Sequence, residues 1–339
     1  MKKVITLIYL MSFFLWTNCS HQKTNTSYYF EGNALGTTYH IKAFADKNTQ
    51  KLSQQDIDNV ILEINNSLST YQANSLISKI NKGKIVKADT YFKDVYMAAK
   101  KIFDETNGLY DPSIGILVNA WGFGPGKKIK GIEKDSSIVD SLMKYVNYNY
   151  VTIDEQGFVR KKYPQVFIDY NSIAKGYAVD CIGKMLEKKG FQNFLVEIGG
   201  EVLTKGKNLK KNKAWLIAID NPNRKKENKF ISKIELSNQA MATSGNYRKY
   251  YIDEKTGVKY VHTIDPKTGY PAVRKLLSVT IITKNCTLAD GYATACMVLG
   301  IENCKKFLKK HPELQAFLVY SDEQGNIKVY TTDQLKIID

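Results

Sequence analysis

The sequence predicts a mixed α/β protein of the α+β type, a largely antiparallel sheet packed with helices. Three observations carry that expectation. The chain has 339 residues, 43% of them hydrophobic and only 7 of them proline, enough to bury a substantial core. Apolar residues recur at helical spacing in some segments and fall in short β-rich runs in others. The two kinds of segment do not alternate as a regular βαβ repeat, so a parallel sheet is not expected.

After an opening strand, Ser53 with Asp56 three residues later forms a capping box, and Ile57, Val60, Ile61, Ile64 and Leu68 follow at helical spacing. A second helix is expected over residues 90–106, with Phe92, Val95, Ala99, Ile102 and Phe103 on one face and Gly108 as its stop. A third covers 137–146. From Tyr150 the pattern turns to β-rich runs at 151–153 and 166–168. A helix over 172–189 ends at Gly190, and strands are expected at 193–198, 214–220, 230–236 and 239–243. A late strand at 277–283 leads into a helix at 287–299 closed by Gly300, and a short helix and a hairpin finish the chain. No low-complexity linker follows residue 27, so residues 28–339 read as one catalytic domain.

The N-terminus has a different character. Lys2 and Lys3 precede an apolar run at 4–16, then Thr17-Asn18-Cys19-Ser20, the layout of an export signal too short to span a bilayer comfortably. A cysteine directly after the apolar run, with a polar tether to Ser27, resembles a bacterial lipoprotein signal. On that resemblance residues 1–18 are removed, Cys19 is lipidated, and the protein sits on the periplasmic side of the cell inner membrane. Asn18 and Trp16 depart from the usual pattern, and an ordinary cleaved signal is the alternative.

Cys181, Cys286, Cys296 and Cys304 lack CxxC spacing and lie in apolar helical stretches, so they read as buried thiols. The net charge of +16 comes from scattered lysines, with runs such as Lys210-Lys211-Asn212-Lys213 and Arg224-Lys225-Lys226. A solvated surface accounts for most of it, and attraction to an anionic membrane or diphosphate for the remainder. No nucleic-acid motif is present.

Several segments combine turn residues with polar groups that packing does not require: Gly32 to Tyr39, Leu68-Ser69-Thr70-Tyr71, Gly108-Leu109-Tyr110-Asp111-Pro112 followed by Trp121-Gly122-Phe123-Gly124-Pro125, and the stretch Asp169 to Asp180. The last group is Thr243-Ser244-Gly245-Asn246-Tyr247-Arg248, His262-Thr263-Ile264-Asp265-Pro266 and Ala289-Asp290-Gly291-Tyr292-Ala293-Thr294. Singly each is weak, since a glycine turn is usually only a turn. Their joint order resembles the ApbE family of FAD:protein FMN transferases from about Tyr28 to the C-terminus.

That resemblance implies a fold related to the T-fold, FAD as substrate, Mg²⁺ as cofactor, transfer of FMN to a threonine or serine of an acceptor protein, and release of AMP. The acceptor it implies is a subunit of a membrane redox complex. By family position Leu35, Tyr71, Leu109, Tyr110, Asp111 and Ile264 line the FAD site, Asp169 and Lys175 hold its polar parts, and His262 is the catalytic histidine. Leu35 stands where methionine is commoner, and Ala293 where some members carry a second aspartate.

Residue chemistry bears on the same roles. Asp290 and Thr294, four apart on a helix, project from one face and can meet a single ion, and Ser172, after a strand ending in Asp169, offers a third oxygen. Mg²⁺ favours such a set of few protein oxygens completed by phosphate and water. Attack by a hydroxyl needs a proton acceptor, and histidine is the usual one. By themselves Tyr71 and Tyr110 read as ordinary packing in a chain with 22 tyrosines, and His262 as a structural histidine. Two other functions stay open: FAD hydrolysis to FMN and AMP, and flavin binding by a periplasmic lipoprotein without turnover.

Overall fold

The computed structural model describes residues 26–222, 229–246, 250–252, 257 and 259–338. The export signal, Cys19, Arg224-Lys225-Lys226, Tyr247 and Arg248 therefore lie outside the described residues. Strands β1 (Thr26–Ala34) and β2 (Thr37–Ala45) form a hairpin. Helices α1 (Gln54–Leu68), α2 (Leu76–Asn81), α3 (Thr90–Glu105), α4 (Gly115–Ala120) and α5 (Ser136–Met143) follow, then the ribbon β3 (Val151–Ile153) and β4 (Val159–Lys161). Helix α6 (Ala174–Lys188) precedes β5 (Asn193–Ile198), β6 (Glu201–Lys205), β7 (Trp215–Asp220), β8 (Phe230–Leu236) and β9 (Ala240–Gly245). A second ribbon, β10 (Tyr250–Ile252) with β11 (Lys259–Val261), leads to β12 (Leu276–Thr283), α7 (Cys286–Lys310), β13 (Gln315–Ser321), β14 (Ile327–Thr331) and β15 (Ile337–Ile338).

The main sheet has the order β1-β2-β5-β6-β9-β12-β13-β14 and every neighbouring pair is antiparallel. One face carries the helices. The other carries the small sheet β15-β8-β7, whose Ile219, Ile234 and Leu236 pack with Val202, Met241, Ile282 and Phe317 of the main sheet. Central strand β12 is therefore covered on both sides. Its Val279 and Ile281 join the helical core and Ile282 the opposite one, which is why apolar residues do not simply alternate with polar ones along it.

Local sequence chemistry sets the helix ends. Ser53 and Asp56 make the expected capping box on α1, and Asp89 caps α3 by accepting from Phe92 N–H at 2.7 Å. Gly300, at φ 74° and ψ 171°, interrupts α7, so the two helical pieces expected at the C-terminus are joined through a kink. The buried Cys286, Cys296 and Cys304 and half-buried Cys181 are all free thiols.

Several expectations need correction. Residues 166–168 are not a strand: Phe167 makes one isolated bridge to Ile114, and Asp169 donates its N–H to Pro112 O at 2.8 Å. Ser172 thus lies within a turn rather than after a strand end, and α6 begins at Ala174. Helices α2 and α4 and strands β4 and β6 also went unforeseen. Each is six residues or shorter, too brief for its periodicity to stand out.

Helices α6 and α7 pack unusually closely at Gly176, where a Cβ would lie 2.3 Å from the Cys286 carbonyl oxygen and 2.8 Å from Asp290 Cβ. In an unobstructed helix Gly→Ala stabilises by about 1 kcal/mol. Gly176→Ala is expected to reverse that sign and destabilise the protein by about 2 kcal/mol or more, because the helices must separate. Denaturant unfolding measures it, and a neutral or stabilising substitution would refute the close contact.

Candidate active site

All twelve residues singled out from the sequence line one cavity of about 780 Å³: Leu35, Tyr71, Leu109, Tyr110, Asp111, Asp169, Ser172, Lys175, His262, Ile264, Asp290 and Thr294. They come from six separate parts of the chain. That volume suits a ligand larger than an ordinary metabolite.

The β1–β2 turn supplies Leu35, which holds a left-handed conformation at φ 51°, a strained backbone for a branched side chain. Tyr71 follows α1 and is 60% exposed, a flat apolar face available at the cavity wall. After α3, the turn at Leu109-Tyr110-Asp111 is held by Thr106, whose Oγ1 accepts from Tyr110 N–H at 3.1 Å. Tyr110 is buried, and burial raises its hydroxyl pKa far above the usual tyrosine value. Its hydroxyl accepts from Ser172 Oγ at 3.2 Å.

Asp111 is largely consumed by structure. It accepts from Ser113 N–H and Oγ at 2.8 and 2.6 Å and from Tyr148 N–H at 3.2 Å. What this turn offers a ligand is its shape and backbone. Asp169, also buried, accepts from Asn171 N–H at 2.8 Å.

The electrostatic centre lies where α6 meets α7. Asp290 is 2% exposed and accepts from the Gly176 N–H at 3.1 Å. Thr294, one turn on, lies 3.2 Å from Ser244 Oγ. Lys175 Nζ stands 2.7 Å from Glu201 Oε1 and 3.8 Å from Asp290 Oδ2. Burial raises the pKa of both carboxyls, and the lysine only partly offsets it. For Lys175 burial acts to lower the pKa, but the two carboxylates outweigh it and hold the ammonium above the ordinary lysine range.

Glu201 and Asn65 line the cavity and were missed in the sequence. A signal for Glu201 existed in Gly199-Gly200 just before it. Ile198 pairs with Glu201 across β5 and β6, and the two glycines, at φ 61° and 101°, form the tight turn between them.

His262 lies directly after β11, half-buried on the cavity wall. The loop beyond it is rigidly tied: Thr263 O accepts from Ala272 N–H at 2.8 Å, and Asp265 N–H donates to Tyr270 O at 2.9 Å. Arg274 bonds the Asp265 carboxylate at 2.8 Å. Trp121, fully buried, donates its indole N–H to Gly269 O at 2.9 Å and stacks on Tyr260 with ring centres 5.5 Å apart. The Trp121-Gly122-Phe123 motif therefore buttresses the histidine loop, and Ile264 packs into the same small core.

The fold that carries this site, an antiparallel sheet backed by helices, matches that of solved flavin transferases. The Vibrio cholerae flavin transferase ApbE superposes with a TM-score of 0.82 at 31% identity, covering 91% of this chain and 98% of that one. The Thermotoga maritima ApbE protein gives 0.76 at 29%, covering 89% and 96%. A Haemophilus influenzae protein named FAD:protein FMN transferase is 34% identical over 335 residues, 96% of this chain and 95% of its own. The ApbE family model matches residues 35–318, and the chain belongs to the ApbE family.

Proposed function

We propose that this chain is an FAD:protein FMN transferase, which cleaves the FAD diphosphate and places FMN on a threonine or serine hydroxyl of an acceptor protein. The observation that carries the reading is the convergence of Lys175, Asp290 and His262 on one cavity large enough for a dinucleotide, within a chain so similar to proteins of that name. Tyr71 offers its face to the isoalloxazine, and the 109–111 turn shapes the pocket around it.

The residues present fit Mg²⁺. Asp290, Thr294 and Ser172 present hard oxygen donors, and one lysine faces two buried carboxylates, which leaves a surplus of negative charge for a cation to balance. Among the described residues no three His, Cys, Asp or Glu side chains gather as a metal cage, in keeping with the habit of Mg²⁺ to rely on one or two carboxylates plus phosphate and water. When bound there, Mg²⁺ neutralises charge that develops on the diphosphate.

His262 takes the proton from the acceptor hydroxyl. Its oxygen then bonds to the FMN phosphorus as the bond to the bridging oxygen breaks and AMP departs. The Lys175 ammonium stabilises the diphosphate from the cavity wall. The tied loop from Thr263 to Arg274 keeps the imidazole in place through this step.

We propose as well that the protein is exported and held on the periplasmic face of the inner membrane by a lipid on Cys19, with a membrane redox subunit as acceptor. No helix among the described residues is long and apolar enough to cross a membrane. Cys19→Ala is expected to release the protein from the membrane pellet into the soluble fraction, and an unchanged pellet fraction would end the anchoring idea.

Asp290→Ala should raise the Mg²⁺ concentration needed for half-maximal transfer by more than about tenfold, and an unaltered Mg²⁺ titration would remove Asp290 from the metal site. His262→Ala should keep FAD affinity within a few fold yet lose transfer by on the order of 10²-fold or more, the scale of deleting a general base. Transfer is read as flavin fluorescence on protein bands of a denaturing gel after incubation with FAD, Mg²⁺ and membrane extract. Near wild-type bands from the variant would mean the base lies elsewhere.

A further inference from the structure

Glu201 is the feature of the cavity that the chemistry above leaves unused. It opens β6, is 2% exposed, and lines the cavity. Its Oε1 holds Lys175 Nζ at 2.7 Å, while its Oε2 is buried with no hydrogen-bond partner among the described residues. A buried carboxylate oxygen left without a donor is costly, so the ion pair with Lys175 is what this glutamate offers in return.

The two distances to Lys175 suggest what the glutamate does. The ammonium lies 2.7 Å from Glu201 and 3.8 Å from Asp290, so it is bonded to the first and only adjacent to the second. A shift of about 1 Å would bring it into hydrogen-bond range of Asp290. Without Glu201, that shift is the route by which the half-buried ammonium regains a bonded counter-ion. The ammonium would then compensate the charge of Asp290 and occupy one of its oxygens, and both effects oppose a divalent cation.

We propose that Glu201 is a positioning residue whose carboxylate engages Lys175, keeping that ammonium from bonding Asp290 so that an oxygen of Asp290 stays open to the cation. The proposal rests on the reading that Asp290 is the metal carboxylate. It adds a role for a residue that touches neither the metal nor the reacting atoms. It also accounts for the Gly199-Gly200 turn, which starts β6 where the carboxylate meets Lys175 on the first turn of α6.

The test measures Mn²⁺ binding by the electron paramagnetic resonance of the free ion, on the purified protein without FAD, so turnover plays no part. Glu201→Gln is expected to weaken Mn²⁺ binding by about tenfold or more. Adding Lys175→Met to Glu201→Gln should return the affinity to within about threefold of wild type, because the competing ammonium is gone. Lys175→Met alone should bind Mn²⁺ at least as tightly as wild type, which keeps the proposal testable if Glu201→Gln proves unstable by thermal melting. Wild-type affinity in Glu201→Gln, a double variant as weak as the single one, or weakened binding in Lys175→Met would each overturn it. Asp290→Ala separates the two levels. If it loses Mn²⁺ while Glu201→Gln keeps it, only the role of Glu201 fails; if Asp290→Ala itself binds normally, the metal reading fails and takes this one with it.

Discussion

The crossing of α6 and α7 at Gly176 is the constraint on which the rest of the site depends. Because residue 176 has no side chain, the Cys286 carbonyl can approach it, and its own N–H reaches the Asp290 carboxylate. One turn further along α6, Asp180 accepts from the N–H groups of Cys286 and Thr287, both at 2.8 Å, and from the Thr287 hydroxyl at 2.5 Å. That carboxylate caps the start of α7 from a neighbouring helix. A single helix thus fixes the start and rotation of α7, and with them the direction in which Asp290 and Thr294 point.

The same contact concentrates charge. Lys175 precedes Gly176, so the lysine, the backbone donor and the acidic side chain of α7 meet within a few ångströms, and β6 adds Glu201 from the main sheet. Burial penalises each of these charges; pairing outweighs it for Lys175 and offsets only part of it for the two carboxyls. On the proposed reading, this locus takes the cation and the diphosphate together. The histidine is organised separately, by the small core around Trp121 and Ile264, so the proposed mechanism assigns charge binding and proton transfer to different parts of the fold.

Much of this was legible in the sequence because it follows from local patterns. The capping box of α1, the long helices and most strands of the main sheet have periodicities long enough to read. The positions of Asp290, Thr294 and His262 were visible only through the joint order of several motifs, since each alone passes for a cap or a turn. Glu201 escaped because its significance is a contact across 26 residues with Lys175, which no spacing reveals. The misplacement of a strand at 166–168 has a similar cause. Val166 and Ile168 are fully buried under helices, and their apolar run reflects burial, not pairing. Tyr110 and Asp111 were legible as a site turn, yet the sequence could not show that their polar atoms are occupied by Ser172, Ser113 and Tyr148.

The central claim is that the FAD diphosphate is split so that only the flavin half stays on protein. Supplying FAD labelled separately in its riboflavin and adenylyl halves, together with Mg²⁺ and a membrane acceptor, and then denaturing the products measures this directly. The account predicts riboflavin-half label retained on the acceptor after denaturation, with the adenylyl-half label released as AMP in equal amount. Recovery of the riboflavin-half label entirely as free FMN, or of both halves as intact FAD, would contradict it.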